Sequence, residues 1–330
     1  MHKGEQRFNF YLTQLQALFN KAAKQKNPAL WLYTNNARTP LFMLEALTKL
    51  YAELHNKKRF TKLKEHFKLL EDALGAIDYY DTIARDFISK KNIPVAITSY
   101  LQAQTREKIQ SLNEVLIEKK WFNPDENRIK KIQEKLNDAD WQNEEKEIEG
   151  IMEFYGEAIY EIIEFIQKRK YHYDNMEADV HELRRKLRWL SIYPQALQGC
   201  IQLTENKTIP KHLTKYLTKD IVSSPFNKMP DAGYTKYFLL LGKQYFLALS
   251  WMIAELGNLK DNGLHIIALK EALQQTTSLS EEAAFKKAYI FTGKKQEKLD
   301  VLLKKAETIT KIFFQEHNLE HLVAGTGRVK

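Results

Sequence analysis

The chain has 330 residues, a formal net charge of +9 and a hydrophobic content of 44%, which is long and apolar enough for one large or two medium domains. The low content of Gly (12) and Pro (8), without alternating strand-like runs, favours an all-α globular fold. The surplus of positive charge favours an anionic partner, which could be polyphosphate, nucleic acid or anionic lipid.

Several classes of protein are disfavoured by the residues present. A single cysteine, Cys200, excludes an internal disulfide framework and fits a reducing compartment. Residues 1–8 carry charge but no apolar segment, so we expect a cytoplasmic protein without a secretory signal. The apolar runs within 237–254 are interrupted by Lys243 and Gln244, so we expect buried helices and no membrane span. Because no phosphate-binding loop, Cys-x-x-Cys pair or nucleophile elbow occurs, we expect no enzyme, no cofactor and no metal site.

In chain order, the first half predicts a bundle of helices over residues 1–122. Residues 5–25 carry apolar side chains at helical spacing and end before a proline, and residues 94–122 are also predicted to be helical. Lysine clusters at 57–68 and at 128–131 suit any polyanion.

The composition becomes acidic after this bundle. Residues 134–164 contain eleven acidic side chains against two lysines. Isoleucines at helical spacing from Ile148 to Ile166 predict one long amphipathic helix with an acidic outer face. We expect this segment, residues 123–175, to join the two halves of the chain.

A basic stripe follows in residues 177–190. Asp179 is a suitable N-cap, and Glu182 lies three residues later, where a capping-box partner belongs. At 100° per residue, one arc of this helix is apolar, and it comprises Val180, Leu183, Leu187 and Leu190. The neighbouring arc is basic, and it comprises His181, Arg184, Arg185 and Arg188. These groups repel one another, so they favour either full solvation or a polyanion lying across them.

The remaining residues complete a C-terminal bundle, residues 176–330. Prolines make residues 201–231 loop-rich. Further helices are predicted at 234–256, 263–275 and 296–318, with another starting near Ser280. The tail from Ala324 is expected to fray.

The segment from Val180 to Arg188 resembles the signature helix of the CHAD family, the conserved-histidine α-helical domains, in which arginines follow a histidine by three and seven residues. The run through Leu256 and Gly257 to Lys260-Asp261 resembles that family's Leu-Gly motif, which is followed four residues later by an acid preceded by a cation. This resemblance implies two related helical bundles that face each other across a basic cavity and bind inorganic polyphosphate.

A degenerate first copy of the signature helix is predicted 146 residues earlier, where Arg38 aligns with Arg184. Asn35 takes the histidine position, so anion binding would be weaker in this half. Pro40 leaves open whether Arg38 lies in this helix or in a loop before it.

The Leu-Gly motif also has an imperfect first copy. Gly75 is followed by Asp78, and the preceding cation is absent. Asp261 in the second copy could pair with an arginine of the signature helix and orient it for phosphate. Capping of the turn after Gly257 is an equally good interpretation.

The sequence therefore predicts non-catalytic binding of polyphosphate or a similar phosphate-rich polyanion. Arg38 would contribute from the other half, and Lys260 and Asp261 would support the site. The predicted binding residues on the signature helix are His181, Arg184, Arg185 and Arg188. Two alternatives stay open, which are a helical interaction or scaffold protein without a polyanion ligand and a non-specific nucleic-acid binder.

Overall fold

The computed structural model describes residues 2–122, 128–205, 208–293 and 297–328. These residues are mostly helical, as the sequence predicts, and they include a small three-stranded sheet. The chain divides into two compact units, of which the first comprises Met1–Trp141 with His265–Lys295, and the second comprises Gln142–Leu264 with Gln296–Lys330. This division differs from the predicted domains 1–122, 123–175 and 176–330, because the acidic helix belongs to the second unit and residues 265–295 belong to the first.

Helices make up the described part of the first unit. They are α1 (Lys3–Ala22), α2 (Pro28–Thr34), α3 (Arg38–Leu54), α4 (Lys57–Ile88), α5 (Val95–Glu118), α6 (Arg128–Asn137), the end of α10 (Lys243–Thr276) and α11 (Glu281–Thr292). The predicted helices at 5–25 and 94–122 are thus confirmed, with ends shifted by a few residues. Ser280 caps α11 at the predicted start signal by accepting a hydrogen bond from the backbone of Ala283.

The second unit combines helices with the sheet. Its elements are α7 (Glu144–Lys168), a π-helical turn (Met176–His181), α8 (Glu182–Ala196), β1 (Ile201–Thr204), two 3₁₀ turns (Lys211–Tyr216 and Pro225–Asn227), α9 (Lys219–Ser223), β2 (Tyr237–Gly242), the start of α10, α12 (Leu299–Gln315) and β3 (Val323–Arg328). The long amphipathic helix predicted from the isoleucine spacing is α7, which packs against α8, β2 and β3. Its isoleucines are buried, and its acidic residues lie mainly on the outer face.

The sheet corrects two sequence-based predictions. β2 pairs in parallel with β1 and antiparallel with β3, so residues 237–242 are a central strand and the predicted helix there was wrong. A short, continuously apolar run has no periodicity that separates a buried strand from a buried helix. The predicted frayed tail was also wrong as far as Arg328, because β3 pairs along β2; residues 329–330 lie outside the described ranges.

The start of the basic helix differs from the predicted cap. Asn175 accepts hydrogen bonds from the backbone N–H groups of Glu177 and Ala178, so it caps the π-helical turn that leads into α8. Asp179 lies inside this turn, and its carboxylate pairs with Arg169 at 2.8 Å. The acid predicted as an N-cap is therefore used by a neighbouring arginine.

A helix break predicted between residues 256 and 263 is absent, because α10 runs without interruption from Lys243 to Thr276. Two glycines lie in this stretch, Gly257 and Gly263. Added Cβ atoms there would approach Arg184 and Met176 to 3.0 and 2.8 Å, respectively. These glycines therefore permit close packing rather than ending the helix.

Within the described ranges, we find no helix whose length and apolar character would let it cross a bilayer.

Candidate anion-binding surface

The signature helix has the two faces that its spacing predicts. Its apolar residues are fully buried, and they are Val180, Leu183, Leu187 and Leu190. The basic residues lie beside this packed face. Arg185 is exposed, whereas three others are half-buried: His181, Arg184 and Arg188. We refer to these four basic residues as the α8 basic face.

Arg184 is held against the backbone of α10. Its Nε donates a hydrogen bond to the carbonyl oxygen of Ile253 at 3.2 Å, and a Cβ at Gly257 would lie 3.0 Å from the same nitrogen. Burial lowers the pKa of Arg184, an effect that the negative charge of Asp261 partly offsets. Among the described residues, no carboxylate oxygen lies within 4.0 Å of the Arg184 guanidinium. Its charge is therefore fixed in place without a direct ionic partner among the residues that the structure describes.

Acidic side chains neutralise other parts of this surface. His181 Nδ1 lies 2.7 Å from Glu177 Oε1, and this hydrogen bond lowers the pKa of Glu177. Arg185 lies 2.7 Å from Glu182 within the same helix. The basic stripe is thus less positive than its sequence suggests, and sequence reasoning treated Glu182 only as a capping residue.

The predicted supporting residues form a pair of their own. Lys260 Nζ lies 2.7 Å from Asp261 Oδ1, and the lysine side chain is only 15% exposed. Asp261 acts on Arg184 through its charge rather than through a direct ion pair. The proposed orientation of Arg184 is supplied mainly by the backbone of α10.

Arg38 is the first residue of α3, so it does not lie in a loop before the helix. Its Nε donates to Glu71 Oε1 at 2.7 Å, and its Nη1 donates to Asp78 Oδ2 at 3.2 Å. The guanidinium also lies 5.1 Å from the centre of the Phe42 ring. Two carboxylates therefore already satisfy the charge of Arg38.

The same packing of an arginine against a glycine occurs in each unit. A Cβ at Gly75 would lie 2.7 Å from Arg38 Nη2, just as one at Gly257 would approach Arg184. In each case, the arginine Nε bonds to the residue four positions before the glycine. That residue is Glu71 in the first unit, which offers a carboxylate, and Ile253 in the second, which offers only its carbonyl oxygen. The two arginines thus share a packing arrangement but differ in charge balance.

The structure places Arg38 in the first unit and the other predicted site residues in the second. Within the described ranges, no three His, Cys, Asp or Glu side chains are grouped in a way that could hold a metal ion.

Comparison with protein-family models, curated proteins and solved structures gives no match. Function must therefore be inferred from the residues of the chain itself.

Proposed function

We propose that this chain binds inorganic polyphosphate, or a similar phosphate-rich polyanion, on the α8 basic face without acting on it as an enzyme. The observation that carries this proposal is the state of Arg184, a largely desolvated cation without a carboxylate in contact among the described residues. The resemblance of this helix to the CHAD signature supports the same ligand class. A phosphate oxygen would supply the direct anionic contact that none of the described carboxylates makes with Arg184.

The guanidinium of Arg184 is held in a fixed position that favours binding of such a ligand. Because its Nε is bonded to Ile253, its terminal nitrogens are the donors that would reach phosphate oxygens. A hydrogen bond to a charged group contributes about 1.5–3 kcal/mol, and a guanidinium that is already fixed loses little entropy on binding. Gly257 makes this fixed position possible, since any larger residue there would push the guanidinium away.

The neighbouring basic residues would also bind the polyanion, by giving up their carboxylate partners for phosphate oxygens. The pairs of Arg185 with Glu182 and of His181 with Glu177 are partly exposed and lie within one turn of helix. Such surface pairs are worth about 0–1 kcal/mol, so a multivalent anion that makes several contacts can replace them.

Arg38 is not part of the site that we propose. Its charge is balanced by Glu71 and Asp78, so a phosphate would have to displace two carboxylates. We infer that the two units derive from a repeated arrangement in which Arg38 stabilises the fold and Arg184 binds the ligand. The difference is visible four residues before the glycine, where the first unit has Glu71 and the second has Ile253.

The test replaces two cations of the α8 basic face, in the variant Arg184→Gln/Arg188→Gln. Binding to end-labelled long-chain polyphosphate is measured by fluorescence anisotropy at one ionic strength. We expect the affinity to fall at least about tenfold, since each lost charge-assisted hydrogen bond is worth 1 kcal/mol or more. The matched control is Lys304→Gln/Lys311→Gln, which removes two exposed charges from α12 and should change the affinity less than about twofold. Circular dichroism of both variants checks that the helices are retained.

Other outcomes would favour the alternatives. If the unaltered protein retains no polyphosphate even at low salt, the proposal is wrong and an interaction protein without a polyanion ligand is favoured. If single- or double-stranded nucleic acid competes equally at matched phosphate concentration and salt, the chain is a non-specific nucleic-acid binder.

A further inference from the structure

A second concentration of positive charge lies within the first unit. The middle of α4, the end of α5 and the length of α6 surround a cavity of about 260 Å³. Its lining consists of His66, Glu118, Lys119, Lys120, Arg128, Lys131, Ile132 and Lys135. We call it the α6 cavity. Five of these side chains are cations and one is a carboxylate, so lysines of α6 face the two lysines that follow α5 across one space.

Arg128 is held in place by three contacts. Its Nη1 donates to the carbonyl oxygen of Lys119, and its Nη2 donates to His66 Nδ1 at 3.1 Å. The guanidinium also lies 5.0 Å from the centre of the Trp121 ring. These contacts come from three sides and fix the plane of the guanidinium at the cavity wall.

His66 accepts this hydrogen bond as a neutral ring. Burial lowers its pKa, and the positive charges of Arg128 and Lys135 lower it further. A neutral imidazole can accept from Arg128, whereas an imidazolium cannot. The contacts that hold Arg128 among the described residues are with a carbonyl oxygen, an imidazole and an indole ring, so these contacts position its charge without cancelling it.

A left-handed turn brings two lysines to the same cavity. Lys120 has a φ of +57°, a conformation that side chains other than glycine seldom adopt. This turn closes the end of α5 through hydrogen bonds from Lys120 N to Ile117 O and from Trp121 N to Leu116 O. It also sets Lys119 and Lys120 opposite α6.

The balance of charge in this space favours an anion. Glu118 pairs with Lys119 at 2.5 Å, and no other acid lines the described wall. The cavity lies near the lower end of ligand-site volumes, which begin at about 300 Å³, so it suits a compact ligand. Several cations around one small space attract a compact anion of high charge more strongly than a singly charged one.

We propose that the α6 cavity is a binding site for a compact, multiply charged phosphate group, and that a diphosphate is the ligand it fits. The source is either inorganic diphosphate or the diphosphate of a nucleotide, which share this chemistry. Arg128 donates to one phosphoryl group, and the lysines that follow α5 and those of α6 neutralise the other. This site belongs to the first unit and does not depend on the α8 basic face.

The test is titration calorimetry of the full chain with inorganic diphosphate and, separately, with a nucleoside diphosphate. We expect one molecule of diphosphate per chain, and an affinity at least about tenfold lower in Lys131→Gln/Lys135→Gln. The matched control, Lys24→Gln/Lys26→Gln, removes two exposed charges of the same unit that do not line the cavity, and should bind as the unaltered chain does. Tighter binding of the nucleotide than of inorganic diphosphate would identify the source as a nucleotide.

The variant Arg128→Gln provides a second measurement. It should lose diphosphate binding, and its thermal unfolding shows whether the fold is kept. If Arg128→Gln unfolds the unit, the variant Lys131→Gln/Lys135→Gln still tests the proposal. No binding of diphosphate, or equal loss in the Lys24/Lys26 control, would overturn the proposal. Binding that persists in Arg184→Gln/Arg188→Gln would show that the cavity is separate from the polyphosphate face; loss there would refute its independence.

Discussion

The guanidinium of Arg184 lies directly against Gly257, where a Cβ would come within 3.0 Å of Nε. The same nitrogen donates to the carbonyl of Ile253, one helical turn earlier in α10. In the first unit, a carboxylate occupies the position equivalent to Ile253 and neutralises the arginine. The residue four positions before the glycine is therefore one source of the different charge balance around the two arginines, and Asp78 adds a second carboxylate beside Arg38.

Replacement of Ile253 by Glu should give Arg184 a carboxylate partner like the one that Arg38 has in the first unit. The new carboxylate would reach Arg184 as Glu71 reaches Arg38, and it would compete with phosphate oxygens for the same guanidinium. We expect the affinity for polyphosphate to fall by about tenfold, the value of one charge-assisted hydrogen bond. Fluorescence anisotropy with labelled polyphosphate measures this change. Ile253→Gln is the uncharged control, and equal effects of Glu and Gln would contradict the electrostatic explanation.

Replacement of Arg38 by Gln should destabilise the fold without changing polyphosphate binding. The side chain of Glu71 is 8% exposed, and it would lose its partner, while that of Arg38 is 35% exposed and partly screened by water. Loss of one member of a buried pair costs about 3–5 kcal/mol, and the partial exposure here reduces the expected cost to about 2 kcal/mol. Urea unfolding measures it.

Two further variants identify the cause of that loss. Arg38→Gln/Glu71→Gln should recover part of the stability, because no unpaired charge remains. Arg106→Gln, on the exposed face of α5, should leave the urea midpoint unchanged. A tenfold loss of polyphosphate affinity in Arg38→Gln alone would instead place Arg38 in the binding site.

Replacement of Glu45 by Gln should stabilise the protein at neutral pH. Burial, and then the charge of Glu71, raises the pKa of Glu45 from 4.5 to about 6. Between these values the folded state binds more protons than the unfolded state, so the free energy of unfolding falls as the pH rises. At neutral pH the ionised, 7% exposed side chain thus costs up to about 2 kcal/mol, at 1.36 kcal/mol for each pH unit.

The gain in Glu45→Gln should therefore depend on pH. Urea unfolding near neutral pH should show the variant more stable, and the difference should disappear below about pH 4.5, where Glu45 is protonated in both states. An equal difference at both pH values would assign the effect to packing rather than to charge.

The helices were predictable from sequence because apolar periodicity is a local property. The buried residues of α8 and α7 follow directly from the spacing of Leu183 to Leu190 and of Ile148 to Ile166. The sheet was not predictable in this way, because β1 and β3 pair with a strand that is distant in the chain. Gly257 and Gly263 indicated a helix break, but tertiary packing against Arg184 and Met176 overrides their low helix propensity.

The basic stripe and the ion pairs within it are local features, whereas the neutralisation of Arg38 is not. Pairing within α8, as between Arg185 and Glu182, follows from helical spacing. The pairing of Arg38 with Glu71 joins residues 33 positions apart on different helices. Sequence shows the lysines of α6 and His66 only as separate features, since their convergence around one cavity depends on how α4, α5 and α6 pack.

Replacement of Lys120 by Gly should separate stability from ligand binding at the α6 cavity. Glycine adopts the φ of +57° without the cost of about 1 kcal/mol that a Cβ imposes, so the free energy of unfolding should rise by about 0.5–1 kcal/mol. The lost ammonium group should lower the affinity for diphosphate several-fold, as titration calorimetry measures. Lys170→Gly is the matched control, because Lys170 has a φ of +51° and does not line the cavity. It should gain similar stability and leave diphosphate binding unchanged, whereas unchanged binding in Lys120→Gly as well would exclude Lys120 from the site.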